Sequence, residues 1–412
     1  MDKIIVFPGS ADGVFFLNEI DYINKNFDEI IVITYPGDKE RFDFLSRDKG
    51  FKYFIADINL RNIFTIKFIK WFFCKSTLRE ISKNLSFSAK SIKKIGYIFL
   101  YGLFYLASKR IIDNELEKSK DDDIYLYSFW LTRGAYTVSM YNTIKSNNIK
   151  KIISRAHGYD LYENRNILNY LPFRNFINGN LDEIHFISKH GAEYHANKYN
   201  LIGSDRKISR LGTFNNENHV KNIVEKDRLC IASCSSVSSI KRLDLIIDIL
   251  SKIEIPFKWI HIGDGDLMTE IKEYADKKLC NKEFEFLGKL KNEKILSTYI
   301  KYDVDFFINM SDSEGVPVSI MEALSIGIPV IARAVGGIPE IIDANTGLLI
   351  ENINDISYVS NQVNKELDNR LVNSDHYLRK HTECINKWVN EYNAVENYNA
   401  FFYKMKSKLN DS

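Results

Sequence analysis

The sequence predicts an α/β protein built from two doubly wound domains, each with a parallel sheet. Three observations predict this class. Short apolar runs rich in Ile, Val, Phe and Tyr alternate with helix-length segments along the whole chain. Alternation at this pace indicates βαβ units with right-handed connections. The length of 412 residues exceeds one compact domain, and a polar stretch near the middle separates two such series.

The apolar runs that we predict as strands fall into two series. Those of the first half are Ile4–Phe7, Ile30–Thr34, Tyr53–Ile55, Ile124–Tyr127, Lys151–Ser154, Glu183–Ile187 and Ile208–Leu211. Those of the second half are Leu229–Ser233, Lys258–Ile262, Glu285–Leu287, Asp305–Ile308, Val330–Ala332 and Gly347–Ile350. Predicted helices between the strands of the second half are Leu243–Ile253, Leu267–Lys278, Asn292–Ile300 and Val318–Ile326. Such a pattern favours parallel sheets with crossover helices.

The domain boundaries follow from composition. We predict a first domain at 1–212, a polar linker at 213–228, a second domain at 229–385 and a tail at 386–412. Apolar residues of the tail recur at helical spacing, so it is expected to form helices that pack back on the body. Open α/β sheets bind ligands at the carboxyl ends of their strands, which predicts a ligand cleft between the domains.

Composition excludes several classes of protein. Lys and Arg number 56 against 54 for Asp and Glu, and 45% of residues are apolar, as in ordinary folded chains. Five scattered cysteines without paired spacing indicate buried thiols in a reducing compartment, not a zinc site. The longest uncharged apolar stretch, Ile95–Ser108, has 14 residues, fewer than the ~18–20 of a membrane-spanning helix. The start does not resemble a signal peptide, and we expect a cytoplasmic protein that is soluble or peripheral.

The most informative segment runs from Asp305 to Ile342. A strand is followed by the polar loop SDSEG, and Pro317 suits the first position of the next helix. Gly327 suits the end of that helix, and the glycine pair Gly336–Gly337 follows the next strand. The free N–H groups and the dipole of a helix N-terminus favour an anion, so the segment predicts a phosphate site.

Two carboxylates lie in the same segment. Glu314 precedes the predicted helix and Glu322 follows eight residues later, in its second turn. Carboxylates repel phosphate and accept hydrogen bonds from hydroxyl groups. The pair therefore points to recognition of a sugar and a ribose beside the phosphate.

These residues resemble a known family. EGVPVSIME is similar to the E-x7-E signature of the family-4 retaining glycosyltransferases, which have the GT-B fold of two Rossmann-like domains and a C-terminal crossover helix. The resemblance implies an enzyme of the type that builds bacterial surface polysaccharide. It covers most of residues 150–400, and the first 120 residues match only in outline. Other matching segments are SIKRLDLII (Ser239–Ile247), WIHIGDGDL (Trp259–Leu267), FLGKL (Phe286–Leu290) and SRAHGYD (Ser154–Asp160).

The resemblance implies a role for each matching residue. Lys241 would neutralise the diphosphate, Glu322 would accept from the ribose and Glu314 from the transferred sugar. His157 would contact the sugar from the first domain. Further donor-binding positions are Gly315, Val316, Pro317, Val318, Arg242, Ser236, Gly263, Gly265, Gly288, Lys289 and Leu290. Positions on the acceptor side or in the cleft are Gly9, Gly13, Arg155 and Asp160.

The sequence departs from the family at one position. An arginine usually stands five residues before the lysine, and here that residue is Ser236. A diphosphate with one cation fewer is held less tightly unless Arg242 or Arg155 substitutes.

The resemblance implies a metal-independent, retaining transfer from a UDP- or GDP-linked sugar to a glycan or lipid-linked acceptor hydroxyl. No cofactor is expected, since the nucleotide sugar is a substrate. Retention without a placed nucleophile favours attack on the same face as the leaving phosphate. Two alternatives stay open: a non-catalytic GT-B subunit of a membrane glycan-assembly complex, which Ser236 would favour, and a nucleotide-sugar epimerase.

Two other interpretations compete for individual residues. The carboxylates of 264–266 or 121–123 have the spacing of a hard-metal site. Gly263 and Gly265 explain the first turn without a metal, and 121–123 precede a strand instead of following one. For His157 the alternative is an ordinary histidine at a strand end, against which its position between a strand and Gly158 counts.

The segment Arg61–Arg110 has an uneven charge. It holds eleven Lys or Arg and one acid, Glu80, interleaved with many aromatic residues. This mixture suits an anionic membrane surface, and no RNA-binding motif accompanies it. Alternatively the aromatics are core residues of the first domain and the charges are solvated.

Overall fold

The computed structural model describes residues 1–9, 14–35, 37, 39–144, 147–166, 168–199, 204–215, 219, 221–372 and 374–406. The chain divides into two compact units. Unit 1 comprises Met1–Ser209 and Tyr398–Ser412, and unit 2 comprises Arg210–Asn397. The division therefore falls three residues before the position predicted from composition, and the last helix returns to unit 1.

Unit 1 is built on a sheet of seven parallel strands in the order β3-β2-β1-β4-β5-β6-β7. The strands are β1 (Asp2–Phe7), β2 (Glu29–Thr34), β3 (Lys52–Ile55), β4 (Asp123–Ser128), β5 (Ile149–Ala156), β6 (Glu183–Phe186) and β7 (Asp205–Ile208). The helices are α1 (Val14–Asn26), α2 (Lys39–Lys49), α3 (Ile66–Phe72), α4 (Lys75–Asn84), α5 (Ala89–Lys118), α6 (Arg133–Asn142), α7 (Arg174–Gly179) and α8 (Lys189–Lys198). Helices cover both faces of such a sheet, which explains why its central strands read as continuous apolar runs.

Unit 2 contains a sheet of six parallel strands in the order β10-β9-β8-β11-β12-β13. The strands are β8 (Leu229–Cys234), β9 (Phe257–Ile262), β10 (Glu283–Gly288), β11 (Phe306–Asn309), β12 (Val330–Arg333) and β13 (Gly347–Ile350). The helices are α9 (Leu243–Ser251), α10 (Met268–Lys278), α11 (Ile295–Lys301), α12 (Val318–Ser325), α13 (Ile338–Ile341), α14 (Ile356–Val372) and α15 (Ser374–Lys387). Helix α16 (Ala394–Lys406) begins in unit 2 and belongs to unit 1 from Tyr398 onwards. Each predicted strand has a counterpart, so the prediction of two doubly wound sheets is confirmed.

The last strand of unit 1 corrects one expectation. The sequence predicted it at Ile208–Leu211, whereas β7 runs from Asp205 to Ile208 and pairs with β6. This is an edge strand with the sequence DRKI, whose residues are mostly exposed. Charged residues are common on edge strands because they discourage pairing with other chains. The apolar pattern therefore marked only its last residue.

The C-terminal tail forms helices, as predicted. Helix α15 runs into a π-helical turn, Trp388–Tyr392, and α16 follows. In unit 1 the rings of Phe401 and Phe402 lie 5.6 Å and 6.2 Å from that of Tyr127 on β4. The predicted packing of the C-terminal helix on the body is therefore confirmed.

Candidate active site

The strand order of unit 2 reverses between β8 and β11, where an open α/β sheet binds its ligand. The loops that leave these two strands are 235–242 and 310–317. They are joined by a hydrogen bond of 2.9 Å that the Asp312 amide donates to the Ile240 carbonyl. The predicted donor-binding segments thus meet at one point of the sheet edge.

Lys241 and Glu314 face each other across this point. The Lys241 Nζ donates to Glu314 Oε1 over 2.6 Å. The Glu314 side chain is 10% exposed and that of Lys241 is 23% exposed. An ammonium group has three donors, so Lys241 can contact Glu314 and an anion at the same time.

The loop that carries Glu314 is fixed by the glycine pair after β12. Gly336 has a φ of +56°, and a Cβ there would lie 1.9 Å from the Glu314 carbonyl oxygen. A Cβ on Gly337 would lie 2.2 Å from the carbonyl oxygen of Gly315. Only glycine permits this approach of two backbones. The pair therefore shapes the loop, and does not itself provide an obvious anion site.

Helix α12 begins beyond this loop. Pro317 takes the N-cap position, followed by Val318 as the first helical residue, and neither the cap nor the first turn holds a carboxylate. The unpaired N–H groups of the first turn thus lie next to Glu314 and Gly315 in sequence. Val316 is buried in the core of unit 2, which holds the loop against the sheet.

Glu322 lies deeper than the sequence suggested. It is 6% exposed, on the second turn of α12. Burial raises the pKa of its carboxyl to about 8, although a hydrogen bond with Asn292 opposes this shift. Near neutral pH the group is therefore mostly protonated and can donate as well as accept a hydrogen bond.

The glycines after β9 pack against the neighbouring loop. A Cβ on Gly263 would lie 1.7 Å from the Ser235 carbonyl oxygen, and one on Gly265 would lie 2.4 Å from that of Val237. Asp264 and Asp266 are exposed, and Asp264 accepts from the Gly265 amide. In the described part of the chain no three His, Cys, Asp or Glu side chains converge.

The end of β10 lies at the edge of the sheet. The carbonyl oxygen of Gly288 accepts a hydrogen bond of 2.9 Å from the Gly263 amide. Lys289 is exposed, while Leu290 packs on the core of unit 2. This hydrogen bond joins the end of β10 to the glycine turn that follows β9.

The arginines near the site hold carboxylates. Ser236 is exposed, and the Arg242 guanidinium contacts Asp244 at 3.0 Å and Asp312 at 3.3 Å. Arg333, at the end of β12, pairs with the same Asp312 carboxylate. Asp312 therefore binds the side chains of two cations on neighbouring segments.

In unit 1 His157 lies after β5, as predicted. Its backbone N–H donates to Asp160 Oδ1 over 2.8 Å, and the Leu131 amide donates to the other oxygen over 2.9 Å. The imidazole stacks on Phe129 at 4.6 Å and meets Trp130 at 4.3 Å. Asp160 is fully buried, so it positions the loop and is not free to meet an acceptor.

Burial lowers the pKa of His157, so the imidazole is neutral. Its Nδ1 lies 3.5 Å from Asp160 Oδ2. Among the described residues the buried Nε2 has no hydrogen-bond partner. A ring nitrogen of a neutral imidazole either donates or accepts one hydrogen bond, depending on the tautomer. The Nε2 of His157 can therefore form one hydrogen bond with a ligand.

One expectation for unit 1 changes with the structure. The Arg155 side chain is fully buried, paired with Glu19, and lies over the Phe401 ring at 4.0 Å. It therefore cannot replace the missing arginine at a phosphate, which corrects that expectation. Gly9 has a φ of +86°, and a Cβ there would lie 2.4 Å from the Trp130 ring. Gly13 lies outside the described residues.

Several contributors were not found from the sequence. Asp312 pairs with Arg242, Trp130 meets His157 and Asn292 bonds to Glu322, while Arg333 shares the Asp312 carboxylate with Arg242. Asp312 stands in the loop SDSEG that the sequence singled out, but its two arginine partners lie on other segments, before α9 and at the end of β12. Nothing in local spacing identifies pairs of that kind.

Comparison with known proteins agrees with this geometry. Residues 214–383 match the family described as Glycosyl transferases group 1. Over 165 residues the chain is 32% identical to the O-antigen biosynthesis glycosyltransferase WbnH of Escherichia coli, covering 40% of this chain and 42% of WbnH. It is 27% identical over 254 residues to an uncharacterized glycosyltransferase of Methanocaldococcus jannaschii, covering 61% of this chain and 68% of that protein. The match to WbnH thus spans less than half of that relative's length.

Solved structures resemble the whole fold. Anabaena HepE in complex with UDP superimposes with a TM-score of 0.68 at 12% identity, covering 98% of this chain and 99% of HepE. The lipopolysaccharide outer core galactosyltransferase WaaB gives 0.68 at 14% identity, covering 98% and 100%. At such identities the likeness concerns the fold. Residues 214–383 therefore match the Glycosyl transferases group 1 family, and the chain as a whole has the GT-B fold that the resemblance drawn from the sequence implied.

Proposed function

We propose that this protein is a glycosyltransferase that moves a sugar from a nucleotide-sugar donor to an acceptor hydroxyl, in cell-surface polysaccharide biosynthesis. The observation that carries the proposal is the Lys241–Glu314 contact of 2.6 Å at the sheet reversal of unit 2. It sets a cation for phosphate beside a carboxylate for hydroxyl groups, next to the N-terminus of α12. The group 1 domain and the O-antigen relative support the same activity.

Each of these residues binds a different part of the nucleotide-sugar donor. Lys241 and the first amides of α12 neutralise the charge that grows on the diphosphate as its bond to C1 breaks. Glu314 accepts from the hydroxyls of the transferred sugar and fixes its position. Glu322 meets the ribose hydroxyls. Such a site acts mainly by orienting the reactants and by stabilising the leaving group.

We propose that the transfer retains the anomeric configuration and needs no metal. The acceptor oxygen attacks C1 on the face that the phosphate leaves, and its proton passes to the departing phosphate oxygen. The C1–O bond to phosphate breaks, the new C1–O bond forms and charge is conserved. This scheme rests on the resemblance to retaining family-4 enzymes, and the cationic Lys241 supports the absence of a metal.

The donor is proposed to be a UDP- or GDP-linked sugar, for which the UDP complex of HepE gives support. His157 is proposed to contact the transferred sugar through its unpartnered Nε2.

The acceptor is proposed to be a glycan or a lipid-linked glycan. Five free cysteines agree with a cytoplasmic location, where thiols stay reduced, and we place the enzyme at the inner face of the plasma membrane.

Thermal unfolding in the presence of a panel of nucleotide sugars tests the donor site. A ligand at 100 times its Kd stabilises the folded state by about 2.7 kcal/mol, which raises Tm by a few degrees. We expect at least one UDP- or GDP-sugar to do so. The Lys241→Ala variant should lose the shift. Lys252→Ala, which removes an exposed lysine at the other end of α9, should keep it.

The proposal fails if no nucleotide sugar raises Tm. It also fails if Lys241→Ala and Lys252→Ala respond alike, because the cation at the sheet reversal would then contribute nothing to donor binding.

A further inference from the structure

Apolar side chains are exposed in an unusual concentration on one part of unit 1. Of the 22 large apolar residues that are exposed in the described chain, nine fall within residues 60–92. We call this set the apolar patch: Leu60, Phe64, Ile66, Ile69, Phe73, Leu78, Leu85, Phe87 and Ile92. Isolated exposed apolar residues are normal, but a concentration of this kind marks an interaction surface.

Helix α3 shows how the patch arises. Phe68 and Trp71 point into the core, and the Trp71 Nε1 donates to the Tyr136 hydroxyl over 2.8 Å. Ile66, Ile69 and Phe73 recur at the spacing of one helical face and are 72%, 48% and 65% exposed. The helix therefore has apolar residues on two faces, and the fold of unit 1 covers only one of them.

The turn between α4 and α5 is still more exposed. Leu85 is 70% exposed, Phe87 is fully exposed and Ile92 is 71% exposed. Ser88 caps the N-terminus of α5 by accepting from the Ser91 amide, which fixes the chain beside Phe87. The turn therefore holds the Phe87 ring out in solvent, away from the core of unit 1.

The charge of this region is complementary to an anionic surface. Nine Lys or Arg lie within residues 60–94, and the one acid there, Glu80, is buried and accepts from the Tyr170 hydroxyl. Within the described residues none of the nine takes part in an ion pair. Lys67 and Lys70 are exposed on α3, between the apolar stripe and the buried stripe of that helix.

Helix α5 has a different role. By length and composition alone, Ala89–Lys118 is long enough and apolar enough to cross a membrane. In the fold, however, its Phe104 stacks on Tyr35 at 4.8 Å and meets Phe7 of β1 at 5.9 Å. The Trp71 ring packs so closely on Gly102 that a Cβ there would lie 2.4 Å away. This helix supplies the core of unit 1, and its removal into a bilayer would expose the sheet.

We propose that the apolar patch and the lysines beside it dock unit 1 on an anionic bilayer, with Phe64, Ile69 and Phe87 entering the interface and the cations meeting lipid phosphates. The attraction of these cations to anionic lipid and the burial of the apolar side chains both favour docking. The proposal sharpens the membrane location given above. It does not rest on the transfer activity, because the donor residues belong to unit 2.

Sedimentation with vesicles tests the docking. At 0.1 M salt the protein should sediment together with vesicles of equimolar phosphatidylglycerol and phosphatidylcholine. At 1 M salt most of it should stay in the supernatant, because the Debye length falls from ~10 Å to ~3 Å. Phe87→Ser and the pair Lys67→Glu with Lys70→Glu should each weaken binding at least fivefold. These side chains are exposed, so the variants should keep the Tm of the parent.

Matched controls separate docking from a general effect of charge or polarity. Phe44→Ser, which removes another exposed aromatic of unit 1, should bind like the parent, as should Lys252→Glu with Lys277→Glu in unit 2. Nucleotide-sugar binding should be unchanged in every one of these variants, because the donor residues belong to unit 2. A parent protein that docks on anionic vesicles but binds no nucleotide sugar would contradict the proposed function and leave docking standing. Four results overturn docking: no binding to anionic vesicles, equal binding to pure phosphatidylcholine, extraction only by detergent, or burial of the patch in a dimer in solution.

Discussion

Glu314 is the residue on which the proposed chemistry depends most. Its carboxylate accepts a hydrogen bond from Lys241. Glu314 itself lies in a loop whose backbone packs closely on Gly336 and Gly337. The Glu314→Gln change keeps the size of the side chain, but an amide nitrogen replaces one accepting oxygen. We expect kcat to fall by on the order of 10²-fold or more, as when one preorganised contact of the transition state is removed. Steady-state turnover of the donor measures this.

The matched control is Glu273→Gln, which changes an exposed glutamate of α10 in the same unit. It should retain the turnover of the parent. Activity of Glu314→Gln within a few-fold of the parent would remove Glu314 from the sugar site.

Glu322 makes the folded protein sensitive to pH. Its pKa is about 8 in the folded state, against ~4.3 for an unfolded chain, so between these values the folded state binds the extra proton. The contribution of Glu322 to stability must then fall as pH rises through this window, by at most ~1.4 kcal/mol per pH unit, and level off above pH 8. Glu322→Gln should lack this contribution, so its stability should fall less with pH than that of the parent. Urea unfolding of both proteins from pH 5 to 9 measures the difference, and parallel profiles would contradict the burial effect.

Single residues also show what a sequence can and cannot predict. Lys241, Glu314 and His157 stand in segments whose order along the chain matches a family pattern, so the sequence alone proposed them as site residues. Arg155 was misjudged because its partner, Glu19, lies 136 residues away and the pair is buried. The contact of Arg333 with Asp312 was missed because only the pairing of β11 with β12 brings the end of one strand beside the loop that follows the other. Pairs that only the fold brings together leave no local signal.

At the scale of elements, the glycine pair before α13 holds the active-site loop in place. A Cβ on Gly337 would collide with the backbone of Gly315, and neither backbone can move without displacing the start of α12. We expect Gly337→Ala to cost about 1–3 kcal/mol of stability and to weaken nucleotide-sugar binding at least tenfold. Unfolding and binding are both measured by thermal shift.

Gly96→Ala is the control for this change. Gly96 lies in the interior of α5, where a Cβ meets nothing within 4 Å, so alanine should stabilise the helix slightly. Unchanged donor binding by Gly337→Ala would show that the loop does not depend on the close approach.

Elements were predicted with different success for a physical reason. Central parallel strands are buried on both faces, so continuous apolar runs marked them, and helices α9, α10 and α12 began within one residue of their predicted starts. Strand β7 lies at an edge and carries charges, so its bounds were shifted. Helix α3 shows the limit most clearly, since its apolar pattern alone did not tell which face the core would cover.

At the scale of the whole molecule, the two sheets have the same kind of strand reversal. The reversal of unit 2 has the proposed donor residues, and the carboxyl ends of the strands in unit 1 carry His157 and Trp130. The two-sheet class followed from the alternation of strands and helices, and the packing of the tail on the body followed from the spacing of its apolar residues. Only the assignment of the last helix to unit 1 needed the structure.

The proposed chemistry also makes a prediction about metal ions. If Lys241 and the amides of α12 meet the charge of the diphosphate, turnover should persist in an excess of EDTA. The measurement is donor consumption by dialysed protein with EDTA, with Mg²⁺ and with Mn²⁺. If EDTA abolishes turnover and either cation restores it, a metal site at Asp264 and Asp266 is favoured instead. The Asp264→Asn change should then abolish the turnover that the cation restores.

The central claim is that the protein transfers a sugar at the Lys241–Glu314 site, and the fate of a labelled donor tests it most directly. The nucleotide sugar that binds best is incubated with acceptor-bearing membranes, and the products are separated and their anomeric linkage determined. We predict release of the nucleoside diphosphate and a glycan in which the labelled sugar keeps the anomeric configuration of the donor, with both products lost in Glu314→Gln. An epimerised nucleotide sugar, an inverted linkage or a donor that stays intact would contradict the account.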